Sequence, residues 1–313
     1  MGVLAERKPL RPELAVTLST WQIAVRRFRR NPLSLMGLIL IVGFILMALL
    51  APLLAPPPPN ARNPYMMPHA GYSPDPQPPR PGHPFGTTEQ AFDIYYGIIW
   101  GARTAFRVGL LVVAISVLIG IVVGSVAGYF RGRVDEFLMR VVDIFLAFPG
   151  LILAVVVVAI LGPGLENVLI ALALVSWPGY ARLLRGEILS VRERDYVEAA
   201  RAMGAGDVKI ILRHILPNSI YPVLVVSSLD MGSIVVTAAA LSFLGLGAPI
   251  GYADWGQIIS LSRNWIIGAG GNAFAFWYTV VFPGAALVLF TLGWNLLGDA
   301  FRDILDPRLR GAS

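Results

Sequence analysis

Residues 105–130 read AFRVGLLVVAISVLIGIVVGSVAGYF, and the fold class follows from this stretch. Its only charged residue is Arg107. A helix needs about 20 apolar residues to cross the hydrocarbon of a bilayer, so we predict a membrane-spanning helix here. Gly120, Gly124 and Gly128 recur at every fourth position, which allows a neighbouring helix to approach closely. We interpret these glycines as a packing stripe within a helix bundle.

Further apolar stretches lie on both sides of this one. The whole chain is 56% hydrophobic and only 14% charged, which is too apolar for a soluble domain. Pro178-Gly179 is expected to kink or end the fourth stretch. We therefore predict an all-α membrane protein with six transmembrane helices. The five additional spans are expected at residues 32–54, 137–161, 167–180, 220–243 and 276–297.

The distribution of Lys and Arg predicts the orientation. Most of them lie in residues 1–31, in the turn 131–140, in the loop 182–217 and after residue 299. Because cationic loops stay on the cytoplasmic side, we expect both termini to be cytoplasmic in a multi-pass protein of the inner membrane. An aromatic belt is then expected near the outer face, formed by Trp100, Trp255, Trp265 and Trp277.

These features divide the chain into segments. The expected division is a cytoplasmic N-terminal segment at 1–31, a first transmembrane helix at 32–54, a Pro-rich extracytoplasmic loop at 55–104, a core domain with five transmembrane helices at 105–300 and a cytoplasmic tail at 301–313.

Several kinds of chemistry find no support in the sequence. Cysteine is absent, and His69, His83 and His214 are scattered, so no metal site is expected. No G-x-x-x-x-G-K-[S/T] loop occurs, so the chain itself does not hold ATP by that route. The cations are divided among loops rather than gathered on one domain, which argues against nucleic acid. No catalytic arrangement of Ser, His or paired carboxylates is evident, and we expect a protein that is not an enzyme.

The cytoplasmic loop at residues 182–218 carries the most specific pattern. Residues 195–203 favour a helix, and Gly204 suits the left-handed conformation that ends one. Asp207 is expected to cap a second helix at residues 208–216, stopped by Pro217. Its apolar side would hold four residues, Val208, Ile211, Leu212 and Ile215. Such a hairpin could dock on another protein or lie on lipid headgroups, and periodicity alone leaves both open.

From Glu198 to Pro217 the loop reads EAARAMGAGDVKIILRHILP. This stretch resembles the EAA loop of ABC importer permeases. The resemblance implies that the loop couples the permease to separate ATP-binding subunits, which use ATP and Mg, while this chain binds no cofactor. The residues that match the family's pattern are Glu198, Ala199, Ala200, Gly204, Leu216 and Pro217.

Other matches extend the resemblance over most of residues 80–310. They include HPFGT from His83, WPGYAR from Trp177, SFLGLG from Ser242 and NLLGD from Asn295. The chain is similar to C-type permeases of dipeptide and oligopeptide importers, which implies a type I importer fold. The expected partners are a second permease, one or two ATP-binding subunits, an extracytoplasmic solute-binding protein and the lipid bilayer.

The sequence departs from the family's pattern at two places. Residues 88–92 read TEQAF where relatives carry an Asp and a Gly-Arg pair, and Thr237-Ala238 stands where many have an acidic residue. We expect the substrate preference to differ accordingly.

Polar residues inside the spans are candidates for the translocation path. A carboxylate at membrane depth should face protein or water. Asp143 is a candidate as well, but it is expected to form an ion pair or a hydrogen bond near the cytoplasmic end. Asp230, with Ser227 and Ser233 nearby, could line the path or hold two helices together.

The sequence leaves three alternative functions to compare. The same type of importer could carry oligosaccharides, nickel or another small solute. A secondary transporter would use inverted repeats and an ion gradient, and no repeat between the halves is evident. An intramembrane enzyme would need the catalytic arrangement that the sequence lacks.

Overall fold

The computed structural model describes residues 28–29, 31–71, 73–266 and 274–305. Regular secondary structure in these ranges is helical. A π-helical turn spans Ile211–Ile215, and a 3₁₀ turn spans Glu89–Ala91. The helices in chain order are α1 Pro32–Leu49, α2 Ala51–Leu54, α3 Ile94–Phe130, α4 Gly132–Leu146, α5 Gly150–Leu161, α6 Leu165–Val191, α7 Asp195–Ala202, α8 Asp207–Ile210, α9 Leu216–Ser219, α10 Tyr221–Phe243, α11 Trp255–Leu261, α12 Arg263–Ile266 and α13 Tyr278–Leu305.

The expected all-α membrane architecture is confirmed. Five helices of the described chain, α1, α3, α6, α10 and α13, are long and apolar enough to cross a bilayer. Together α4 and α5 pass the same test as a bent pair. They stand at the position of the third of the six predicted spans.

This third span is broken rather than straight. We expected one helix over residues 137–161, but α4 and α5 meet at an angle of 88°. Pro149 begins α5 as its N-cap residue, and proline has no amide hydrogen to continue the helical ladder of α4. The Phe148-Pro149 step therefore corrects the expected straight span to a bent one.

Two other helix bounds also differ from expectation. Residues 94–104 were assigned to the Pro-rich loop, but α3 already begins at Ile94, because the Asp93 carboxylate caps it by accepting a hydrogen bond from Tyr96 N at 3.0 Å. We expected Pro178-Gly179 to kink or end the fourth span; the helix does not end there, because α6 runs on to Val191. An internal proline costs about 3 kcal/mol, which the packing of α6 against α3 offsets.

The glycine stripe lies where α3 meets α6. A Cβ atom on Gly120 would lie 2.4 Å from the Tyr180 Cβ, and one on Gly124 would lie 2.6 Å from the Ala181 carbonyl oxygen. Gly128 is equally close to Ile188. Real Cβ atoms do not approach so closely, so only glycine permits this spacing of the two backbones. The interpretation of the stripe as helix packing is confirmed.

Residues 55–93 cover one end of the bundle, which we call the outer end. The indole of Trp100 donates a hydrogen bond to Ala55 O at 2.9 Å, and Met67 N donates one to Gly251 O at 2.7 Å. Trp100 and Trp255 are each only 2% exposed, because the loop packs over them. They belong to the core, and the expectation that they form an aromatic belt is wrong.

The close contact of α3 and α6 makes a specific prediction for stability. In Gly124→Ala, the new methyl group meets the backbone of Ala181 and not a movable side chain, so we expect a loss of about 1–3 kcal/mol. Thermal unfolding of the purified protein should show a lower midpoint. Gly43→Ala is the matched control, because nothing lies within 4 Å of a Cβ on Gly43 in α1. Equal midpoints for the two variants would contradict the packing assignment.

Candidate functional site

Residues 195–219, which we call the hairpin, lie at the end of the bundle opposite the outer end. The first arm is α7. Gly204 follows it with φ of +81°, and its amide donates to Arg201 O at 3.0 Å. This left-handed position favours glycine, so the predicted role of Gly204 in ending the first helix is confirmed.

The second arm does not stop at Pro217 as predicted. It passes through the π-helical turn, in which Leu216 N donates to Ile211 O, and continues in α9 to Ser219. Proline cannot donate and crowds the preceding turn, and a π-helical turn widens the helix at that point. Two side chains satisfy carbonyl groups there: Asn218 Nδ2 donates to His214 O at 2.7 Å, and Ser219 Oγ donates to Ile215 O at 3.0 Å.

Asp207 does not cap the second arm with its side chain. Gly206 occupies the N-cap position. The Asp207 carboxylate instead accepts a hydrogen bond from the Tyr129 hydroxyl at 2.6 Å. A charged hydrogen bond to the end of α3 replaces the expected local cap.

The apolar residues of the hairpin are divided between two faces. Ile210 and Ile215 are fully buried against the bundle, together with Val197 of the first arm. Val208 and Leu212 are 69% and 60% exposed, although we expected them on one side together with Ile211 and Ile215. With Met203, which is 81% exposed, they form what we call the apolar face of the hairpin.

The six residues that match the EAA pattern are divided in the same way. Glu198, Ala199 and Gly204 are exposed, and so is Pro217. Leu216 is partly buried, and Ala200 of the first arm is buried at 2% exposure. Among the described residues, the Glu198 carboxylate has no hydrogen-bond partner, so it is available to another chain.

Two cations hold the end of α3 against the segment that leads into the hairpin. The Arg192 guanidinium donates to Tyr129 O and lies 5.8 Å from the centre of the Tyr129 ring. Arg131 pairs with Glu193 at 2.6 Å. Burial, and then the nearby Arg131 and Arg201, lower the pKa of Arg192. The hydrogen bond from Arg131 lowers the pKa of the Glu193 carboxyl. Sequence reasoning missed this set, because its members are far apart in the chain.

The bent third span is tied to α6 by two ion pairs. Asp135 accepts from Arg185 at 2.5 and 2.6 Å through its two oxygens, and Asp143 pairs with Arg182. The expected ion pair of Asp143 is therefore present.

Two of the three candidate path residues come together on α10. The Asp230 carboxylate accepts from the Tyr180 hydroxyl of α6 at 2.6 Å, and Ser233 Oγ donates to Asp230 O at 3.1 Å. Ser233 is exposed and Asp230 is partly exposed. The hydroxyl of Ser227 bonds instead to Leu224 O within the same helix, at 2.9 Å. Asp230 thus joins two helices and also keeps an accessible side.

Comparisons with known proteins agree with this architecture. Residues 120–311 match the family described as binding-protein-dependent transport system inner membrane component. Residues 19–79 match the N-terminal transmembrane domain of oligopeptide transport permease C.

Relatives match over nearly the full chain. The dipeptide transport system permease protein of Alkalihalophilus pseudofirmus is 41% identical over 293 residues, covering 94% of this chain and 91% of that protein. A probable D,D-dipeptide transport system permease protein of Escherichia coli is 37% identical, covering 99% of each chain. A glutathione transport system permease protein of Escherichia coli is 37% identical, covering 93% of this chain and 91% of its own.

A solved structure supports the fold alone. A chain of the MetNI methionine ABC transporter, in an inward-facing conformation, superposes with a TM-score of 0.54 at 21% identity, covering 67% of this chain and 97% of its own. Taken with the family match and the six spans, it leads to one conclusion: the chain belongs to the binding-protein-dependent transport system inner membrane component family and is a multi-pass permease of an ABC importer in the inner membrane.

Proposed function

We propose that this chain forms half of a translocation path for short peptides and receives ATP-driven motion through the hairpin. Three relatives are named for the transport of dipeptides, D,D-dipeptides and glutathione, which favours peptides over oligosaccharides or nickel. The expected second permease would supply the other half of the path.

The apolar face of the hairpin carries the proposal that the hairpin docks on an ATP-binding subunit. Met203, Val208 and Leu212 are 60–81% exposed, and the exposed cations Lys209 and Arg213 lie next to them in the sequence. Exposed apolar clusters bordered by polar residues mark interaction sites, and the hairpin also carries the unpaired charge of Glu198. This combination favours a protein partner over lipid headgroups, the other reading of the hairpin.

ATP hydrolysis in this proposal belongs to the partner subunits. The sequence has no phosphate-binding G-x-x-x-x-G-K-[S/T] loop, so the free energy must arrive through contacts. A solute-binding protein would deliver peptide at the outer end. Closure of the ATP-binding subunits would move the hairpin, and the helices joined to it would change their tilt.

Transmission of motion requires a hairpin that does not slip. The hydrogen bond between Tyr129 and Asp207, with Arg192 on the same tyrosine, supports a firm attachment to α3. The short connection between α6 and α7, residues 192–194, supports a second attachment, to α6. Movement of the hairpin would then act on two helices that are already packed together.

Docking can be tested at the apolar face. In Leu212→Asp, a charge enters the centre of the proposed contact, and truncation of a central contact typically costs 2 kcal/mol or more. We expect the recovery of ATP-binding subunits with the purified permease to fall at least about tenfold. Glu198→Ala should lower it as well. Ala61→Asp, at an exposed position near the outer end, is the control. Full recovery with Leu212→Asp and Glu198→Ala would exclude docking at this face.

Attachment of the hairpin can be tested separately. Tyr129→Phe removes only the hydroxyl that donates to Asp207, a charged hydrogen bond of about 1.5–3 kcal/mol. We expect amide hydrogen exchange in residues 207–216 to become roughly tenfold faster or more. Tyr221→Phe is the control, because Tyr221 is 44% exposed and its hydroxyl has no partner in the described structure. The attachment is refuted if both variants exchange at the same rate.

The path assignment rests on Asp230. Asp230→Asn keeps the size of the side chain and its contact with Tyr180 but removes the charge. We expect peptide uptake by reconstituted importer to fall severalfold, with assembly retained. Tyr180→Phe removes the interhelical hydrogen bond and keeps the charge. It should therefore lower thermal stability and have little effect on uptake per assembled complex. If uptake is unchanged in Asp230→Asn, this carboxylate only holds helices together.

A further inference from the structure

A cavity of about 620 Å³ opens at the outer end, away from Asp230 and the hairpin. It lies between the turn before α3, the loops at 163–164 and 245–250, and the α11–α12 segment. Its volume is within the range of about 300–1,000 Å³ that small-molecule sites occupy. None of the contacts described above uses it.

Two opposite charges line this cavity without pairing with each other. The Glu89 carboxylate accepts a hydrogen bond from the Trp265 indole at 2.8 Å through Oε2, and its Oε1 has no partner among the described residues. The exposed Arg263 guanidinium forms no ion pair with any residue that the structure describes. Because the two groups line one cavity without forming an ion pair, both remain available to a ligand that carries charges of both signs.

An amide side chain also borders the cavity. Gln257 is 5% exposed as a whole residue and lines the cavity, and its side-chain amide makes no hydrogen bond to any described residue. The Gln257 side chain therefore offers a donor and an acceptor to whatever fills the cavity.

The backbone that carries Glu89 is held in a rare conformation. Gln90 and Ala91 have φ of +65° and +59°, a region that non-glycine residues adopt only when their surroundings impose it, often at ligand sites. Ala70 N donates to Ala91 O at 2.7 Å, and the His69 ring contacts Gln90 O at 3.0 Å. This turn lies within residues 88–92, where the sequence departs from the pattern of the resembled family.

We propose that this cavity is a receiving site for a short zwitterionic peptide, a role that rests on the proposed peptide function. Glu89 pairs with the terminal ammonium group, Arg263 with the terminal carboxylate, and Gln257 with the peptide group between them. A carboxylate and a guanidinium form strong charged hydrogen bonds with such groups. A cavity of about 620 Å³ holds only a short peptide, and pairing at both ends favours peptides whose two termini are free.

The test measures binding without the solute-binding protein. The assembled importer is held in lipid nanodiscs and titrated with dialanine, N-acetyl-dialanine and dialanine amide, and saturation-transfer NMR gives the apparent Kd of each. We expect blocking of either end to weaken binding by about tenfold. Glu89→Gln should weaken the binding of dialanine by a similar factor. In this variant, N-acetylation of the peptide should cause no further loss of affinity. Arg263→Gln should also weaken the binding of dialanine, and amidation of its carboxyl end should then cause no further loss of affinity. Arg62→Gln, an exposed cation of the same end, should change nothing.

The possible results separate this site from the peptide function itself. If both variants keep the wild-type Kd and the wild-type discrimination between end groups, the site is wrong. If the importer takes up dialanine with its binding protein but binds none without it, the site is wrong and the peptide function stands. If dialanine is neither taken up nor bound, the peptide function fails and the site fails with it.

Discussion

The close contact between α3 and α6 sets the positions of the other parts of the permease. In a bilayer, apolar side chains gain little by leaving lipid for protein, so helices associate through close packing and hydrogen bonds. Gly120, Gly124 and Gly128 let the two backbones meet along the part of α3 that leads toward the hairpin. One end of the pair therefore presents Tyr129 and Arg192 together, and the hairpin is built on that surface.

The polar contacts of the bundle follow from this pairing. Arg182 and Arg185 leave α6 on the side that faces α4, where Asp143 and Asp135 meet them. Tyr180, just before them, reaches Asp230 on α10. A polar group in hydrocarbon is expensive without a partner, so these contacts fix how the bent third span and α10 are placed around α6.

Much of the architecture was predictable because the bilayer imposes length and polarity on every span. The apolar stretches, the Gly204 turn and the glycine stripe depend on local pattern and agree with the structure. The errors concern contacts between distant segments. Trp100 is buried because residues 55–93 fold over it, α6 continues through Pro178 because α3 supports it, and Asp207 turns to Tyr129 across 78 residues.

The same limit applies to the candidate site. The EAA pattern located the hairpin, but helical periodicity placed the buried Ile215 on one side with the exposed Val208 and Leu212. That division depends on how the second arm meets the bundle. Glu89 and Arg263 are distant in sequence and share a cavity only because residues 55–93 return to the loops between α10 and α13.

The π-helical turn at Ile211–Ile215 has a geometric consequence for the joint between the hairpin and α10. An α-helix turns about 100° per residue, and a π-helical turn accommodates one additional residue. The apolar face of the hairpin is therefore rotated by roughly 100° from the position that an unbroken α-helix would give it relative to α10. The angle between these surfaces therefore changes by about 100° for each residue in the turn. Gain or loss of one residue in this turn would reorient one surface against the other and leave the side chains of both unchanged.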